Sequence, residues 1–222
     1  AGEGFDVVIS SISFSMAGQA VERLTLSGVA DIDGTGSDDA NEIFGNAGRN
    51  VIDGGSGADV MRGRAGDDVY VVDDAGDQVF EDMGEGTDTV QSSVTFNLNG
   101  QELENLILVG LANIDATGNA LDNFLTGNAG DNLFDGGVGD DTMAGAGGND
   151  TYLIRDAGDV VIENANEGTD TVNSRITYSI DGTYVENLVL LDLREANGTG
   201  NQLDNTITGN SFNNRLDGLG GA

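Results

Sequence analysis

The stretch that decides the fold runs from Gly36 to Val71 and reads GSDDANEIF GNAGRNVID GGSGADVMR GRAGDDVYV, four nonapeptides laid end to end. Each opens with Gly, carries Asp or Asn at position 6, and places an apolar residue at position 8: Ile43, Ile52, Met61 and Tyr70. Glycines at positions 1, 2 and 4 suit a tight turn, and the position-6 side chain brings an oxygen to it. Positions 7 to 9 make a strand too short to bury more than its middle residue. Two nonapeptides then complete one coil, so residues 18 apart stack at the ~4.8 Å strand spacing. The rhythm predicts an all-β chain folded as a right-handed parallel β-roll, a β-helix solenoid of about twelve coils.

Outward from this stretch the sequence repeats itself. GEGFDVVISS at Gly2, GEGTDTVQSS at Gly84 and NEGTDTVNSR at Asn166 lie 82 residues apart each time, dividing the chain into copies 2–83 and 84–165 and a partial copy 166–222. The second copy repeats the nonapeptides from Gly118 to Leu153, with Leu125, Phe134, Met143 and Tyr152 at position 8, and the third begins them again at Gly200. The register also continues past the obvious motif, giving rolls over 36–80, 118–162 and 200–222. VDDAGDQVF from Val72 puts Asp77 at position 6, and MGEGTDTVQ from Met83 puts Asp88 there after a two-residue insertion, Glu81 and Asp82. The position-6 columns are therefore Asn41, Asp59, Asp77 and Asn50, Asp68, Asp88 in the first copy, and Asn123, Asp141, Asp159 and Asn132, Asp150, Asp170 in the second. The insertion either bulges outward and preserves the column or widens the turn and breaks it. Residues 1–222 are expected to form one continuous solenoid, and the chain reads as a window on a longer repetitive protein.

Segments 91–117 and 173–199 alternate apolar and polar residues at spacings nearer ten than nine and carry no ligand pattern. They are expected to continue the coil with longer, metal-free strands, turning Val94, Phe96, Leu98, Leu106, Leu108 and Ile114 inward. Phe14, Phe96 and Tyr178 share one repeat position and are expected in the core, as are Tyr70 and Tyr152. Arg62 and Arg64 are expected to pair with neighbouring carboxylates, an acidic polysaccharide being the less favoured partner.

Composition excludes much. The 222 residues hold 39 acidic and 8 basic side chains, every basic one Arg, for a formal charge of −31. Unaided nucleic-acid binding or anionic-membrane binding needs clustered cations that are absent. Without His, Cys or Lys there is no Ser-His-Asp or Cys-His triad, zinc site or Schiff-base lysine. No apolar run approaches a membrane span, and no secretory leader is visible. Two carboxylates ~4 Å apart repel by about 4 kcal/mol at an effective dielectric near 20, so the stacked Asp columns demand a counterion.

The nonapeptide GGxGxDxUx, complete in GGSGADVMR and degenerate at one or two positions elsewhere, resembles the RTX family of hemolysin-type calcium-binding repeats. The resemblance implies a calcium-loaded roll holding several Ca2+ ions. Calcium takes six to eight oxygens in tolerant geometry. The position-6 Asp and Asn residues named above would supply side-chain oxygens, and the turn glycines Gly54, Gly57, Gly63, Gly66, Gly136, Gly139, Gly145 and Gly148 would supply backbone carbonyls. The four Asn residues are either neutral end ligands or turn formers. The resemblance further implies a non-enzymatic repeat region of a secreted bacterial protein, exported by type I secretion and folding on calcium outside the cell. An alternative is a calcium-stiffened adhesin, surface-layer or filament-forming protein, with self-association or a cell-surface polysaccharide as partner. A further alternative, a polysaccharide-active β-helix enzyme, is disfavoured because the carboxylates recur with the repeat.

Overall fold

A computed structural model describes residues 4–221; Gly2, where the first copy begins, and the terminal Ala222 lie outside them. The chain divides into two compact units, 1–107 and 108–222. Among the described residues there is no helix, and the strands are two to four residues long.

In the first unit β1 (Val7–Ser10), β3 (Arg23–Leu26), β5 (Glu42–Phe44), β7 (Val60–Arg62) and β9 (Gln78–Phe80) form one parallel sheet. β2 (Phe14–Ser15), β4 (Gly34–Thr35), β6 (Val51–Asp53), β8 (Val69–Val72) and β10 (Thr89–Ser92) follow one another in a second. Odd strands pair with odd and even with even, the signature of a solenoid in which the chain crosses between two faces at every turn. The register is the one the nonapeptide requires: Ile43 pairs with Met61 and Met61 with Val79, while Ile52 pairs with Tyr70 and Tyr70 with Val90. Each is the second residue of its strand and each is buried. β1 and β10 open successive copies yet lie in different sheets, because nine strands, an odd number, fill one 82-residue copy.

The second unit repeats the arrangement. β13 (Ala116–Thr117), β15 (Leu133–Asp135), β17 (Thr151–Ile154), β19 (Thr171–Ser174), β21 (Asn187–Leu190) and β23 (Thr206–Thr208) stack in parallel. Opposite them run β14 (Phe124–Thr126), β16 (Thr142–Ala144) and β18 (Val160–Ile162), and further along β20 (Tyr178–Ser179), β22 (Gly198–Thr199) and β24 (Leu216–Asp217). Phe134 lies on Tyr152 with ring centroids 5.2 Å apart and nearly parallel planes, and both are fully buried.

Three expectations fail. Phe14, Phe96 and Tyr178 are half-buried rather than core, since each opens a two-residue strand whose inward side is filled by the residue two further on, Met16, Leu98 or Ile180. Val94 is also half-exposed, whereas Leu98, Leu106, Leu108 and Ile114 do turn inward. Arg62 and Arg64 form no ion pair among the described residues; Arg62 stacks on Phe80 at 4.1 Å and Arg64 on Phe44 at 5.6 Å. A phenyl face on the neighbouring coil holds a weakly hydrated guanidinium without stripping a carboxylate of water.

Candidate metal centre

The position-6 residues are brought together in columns, and they are buried. Asp59, Asp68, Asp88, Asp141 and Asp150 are each no more than 1% exposed, with Asp77, Asp159 and Asp170 scarcely more open. One carboxylate oxygen of each binds the backbone of the preceding coil. Asn41 N–H donates to Asp59 Oδ1 at 2.7 Å and Asp59 N–H to Asp77 Oδ1 at 2.9 Å. On the other face Asn50 N–H donates to Asp68 Oδ1 at 2.7 Å and Asp68 N–H to Asp88 Oδ1 at 2.8 Å. The second unit matches: Asn123 to Asp141 at 2.9 Å, Asp141 to Asp159 at 3.3 Å, Asn132 to Asp150 at 2.7 Å, and Asp150 to Asp170 at 2.8 Å. The ladder therefore crosses the two-residue insertion intact.

The Asn residues at the head of each column close their own turns. Asn41 Oδ1 accepts from Ser37 N–H at 2.6 Å, and Asn50 Oδ1 from Asn46 N–H at 2.8 Å. Asn123 and Asn132 do the same to Asn119 and Asn128 at 2.7 and 3.0 Å. The amide nitrogens of Asn50 and Asn132 reach the Ile32 and Ile114 carbonyls of the coil above, both at 2.6 Å.

The glycines serve the carboxylates in two ways. Gly57, Gly66, Gly139 and Gly148 take φ of +114, +130, +133 and +120°, which L side chains rarely adopt. Gly54, Gly63, Gly136 and Gly145 lie against the Asp side chains: a Cβ there would stand 2.4, 2.1, 2.2 and 2.2 Å from Oδ2 of Asp59, Asp68, Asp141 and Asp150. Position 1 is glycine because the carboxylate occupies the space a side chain would need.

Those same Oδ2 atoms, of Asp59, Asp68, Asp141 and Asp150, are buried and have no hydrogen-bond partner. A buried carboxylate oxygen without a donor is costly unless the group is protonated or meets a cation. Burial pushes the Asp59 carboxyl up to about 7, helped by Asp77, Asp73 and Asp53 and opposed by the Asn41 N–H bond. Burial likewise raises Asp68 and Asp141 to about 6 and Asp150 and Asp88 to about 7. The columns call for positive charge at neutral pH.

Sequence reasoning missed Glu81 and Glu163, treating the former as half of an insertion. Both are buried, and each oxygen Oε1 accepts the hydroxyl of the tyrosine in the neighbouring coil, Tyr70 or Tyr152. Burial raises Glu81 to about 9 and Glu163 to about 8. One signal was available: the inserted pair is Glu-Asp in the first copy and Glu-Asn in the second, so only the Glu recurs.

Fold and site together define a parallel β-solenoid built from acidic, calcium-type nonapeptides. The family described as RTX calcium-binding nonapeptide repeat (4 copies) matches residues 35–70, 117–152 and 199–222, the segments that carry the nonapeptides. No curated protein matches the chain, and no solved structure does. The donor set fits calcium, since every candidate group is a hard oxygen and the Oδ2 atoms of Asp59, Asp68, Asp141 and Asp150 have no hydrogen-bond partner. No helix among the described residues is long and apolar enough to cross a membrane.

Proposed function

We propose that this chain is the calcium-binding structural repeat region of a secreted bacterial protein, disordered where calcium is scarce and folding where it reaches millimolar levels outside the cell. The observation that carries the reading is the set of buried, unpartnered Oδ2 atoms on Asp59, Asp68, Asp141 and Asp150. In this reading Asp77, Asp88, Asp159 and Asp170, one coil beyond them, complete the pairs, and turn glycine carbonyls supply further oxygens. A bound ion supplies the positive charge that offsets desolvation and like-charge repulsion at the columns. With free calcium at about fifty times Kd, each site stabilises the folded chain by about 2.3 kcal/mol. The acid clusters recur in both copies rather than forming one unrepeated cleft, which supports a structural role over an enzymatic one.

Circular dichroism of the chain in excess chelator tests the reading. It should show a largely disordered chain, and millimolar calcium should restore the β signal cooperatively, with magnesium a poor substitute because it keeps its waters and demands octahedral geometry. An unchanged spectrum in chelator contradicts it.

A second reading, a calcium-stiffened spacer that self-associates at the cell surface, draws on one pattern. Val29, Leu111 and Leu193 occupy one position of the 82-residue repeat and are 79, 82 and 58% exposed. Sedimentation of the calcium-loaded chain separates the two readings.

A further inference from the structure

Two residues per copy interrupt the nonapeptide rhythm, Glu81–Asp82 and Glu163–Asn164. Asp82 and Asn164 are exposed, whereas Glu81 and Glu163 are only 6 and 5% exposed. A Glu is rarely buried so fully without a partner for its charge. Its Oε1 is held by the hydroxyl of Tyr70 or Tyr152, and Tyr70 is itself fixed because Gly63 N–H donates to its oxygen at 2.5 Å. The other oxygen, Oε2, has no partner in either copy, and neither has Oδ2 of the adjacent Asp68 or Asp150.

The third carboxylate of each cluster is Asp88 or Asp170, positioned from below by its own backbone N–H, which donates at 2.8 Å to Glu104 or Glu186. Ligand oxygens of Asp68, Glu81 and Asp88 lie within 4.8 Å of one another, as do those of Asp150, Glu163 and Asp170. Calcium–oxygen distances of about 2.3–2.6 Å place opposed donors on one ion roughly 4.6–5.2 Å apart, so each trio spans a single coordination sphere. Space for it depends on glycine, since a Cβ on Gly63 would stand 2.1 Å from Asp68 Oδ2 and 2.7 Å from Glu81 Oε1.

We propose that Asp68, Glu81 and Asp88, and separately Asp150, Glu163 and Asp170, form two buried three-carboxylate cation sites, one in each copy, in which the inserted Glu is a ligand that the nonapeptide pattern does not contain. The inference rests on the calcium reading above and adds a site of another kind, built on three side chains and oriented by a tyrosine. Tyr70 and Tyr152 are positioning residues: each occupies one Glu oxygen and leaves the other free for the ion. Three carboxylates leave net negative charge around a divalent ion, so the trio favours a hard cation of higher charge and similar size. Terbium(III) is the probe, because a tyrosine beside the site can sensitise its emission.

The experiment compares the whole chain with its Glu81→Gln/Glu163→Gln and Asp59→Asn/Asp141→Asn variants. It reads calcium ions bound per chain by equilibrium dialysis and terbium emission excited through tyrosine. The Glu variant is expected to bind two calcium ions fewer and lose most of the emission, while keeping its β signal in saturating calcium. The Asp variant is expected to keep the emission. Equal ion count and equal emission in wild type and the Glu variant overturn the inference while leaving the calcium reading standing; failure of the wild type to bind calcium at all overturns both. Should the double variant not fold, Glu81→Asp decides, since it retains the charge but withdraws the oxygen by one methylene. A loss of one ion then supports the site, and an unchanged count overturns it.

Discussion

The two copies share an interior and differ outside. Ile43, Met61 and Val79 of the first copy correspond to Leu125, Met143 and Val161 of the second, and all are buried. On the outer side of the same strands the first copy carries Phe44, Arg62 and Phe80, whereas the second carries Thr126, Ala144 and Ile162. In the first, guanidinium and phenyl groups alternate from coil to coil: Arg23 sits 4.9 Å from Phe5 and 5.5 Å from Phe44, and Arg62 stacks on Phe80. Arg23 also pairs with Glu42. The second copy has no counterpart of this ladder at those positions. Position 8 must fill a closed coil and position 6 must serve the columns, so both are constrained by packing and charge. Position 9 of the strand faces water and is free to diverge.

The interior half of the comparison is broken most severely at position 1. Gly63→Ala and Gly145→Ala each drive a methyl into the carboxylate cluster, within about 2 Å of an Asp oxygen and a tyrosine hydroxyl. Each is expected to cost about 3–5 kcal/mol, and equally in the two copies. Denaturant midpoints in saturating calcium check this, and a cost below about 1 kcal/mol in either copy contradicts the packing described.

Next in size is the response to pH without metal. The folded-state values of Asp59, Asp68, Asp88, Asp141, Asp150, Glu81 and Glu163 all lie above the ordinary carboxylate range. Groups so raised favour folding while protonated, and that contribution is lost as pH rises through the folded values, from about 6 for Asp68 to about 9 for Glu81. The chelated chain should therefore gain β signal on acidification toward pH 4 and lose it toward pH 9. With calcium present the order reverses, because the ion binds ionised carboxylates. A chelated chain whose signal is flat with pH contradicts the assignment of the buried acids.

A smaller effect separates the columns from their heads. Asp59→Ala removes both the orphan oxygen and the acceptor of Asn41 N–H, so its calcium midpoint should rise more than that of Asn41→Ala, which loses turn closure and a bond to the Val21 carbonyl but no carboxylate. Calcium titrations of the two variants side by side check the ranking, and the reverse order contradicts it.

The smallest effects test the outer face. Arg64 and Ala146 hold the same repeat position with φ of +71 and +68°, a conformation that costs a non-glycine residue about 1 kcal/mol. Ala146→Gly should stabilise by about that amount, while Arg64→Gly should gain less, because it forfeits the stack on Phe44 and the bond to the Gly45 carbonyl. Arg62→Ala and Phe80→Ala should each cost about 0.5–1 kcal/mol, and a double-mutant cycle should recover most of it as coupling. Zero coupling would mean that the ladder is decoration.

How much of this was legible in the residues follows from what a nine-residue period can encode. The strands, the inward position-8 residues of each copy, Ile43 to Tyr70 and Leu125 to Tyr152, and the Asp ladder depend only on local spacing, because a solenoid pairs each coil with the one before it. That is why Asp77 and Asp88 fell in line although their nonapeptides are degenerate. What depends on how side chains of adjacent coils share space was not legible. Spacing could not say whether an inserted pair bulges out or turns in, and it is the fit of Glu81 beneath the Tyr70 hydroxyl that turns one residue inward and leaves Asp82 in water. Nor could it say that Arg62 prefers the ring of Phe80 to a carboxylate in a chain of charge −31. The sequence alone determined the coil and its columns of oxygen; the tertiary structure decided which of those oxygens lack a donor, because a hydrogen-bond partner from the next coil is a matter of ångströms that no repeat length specifies.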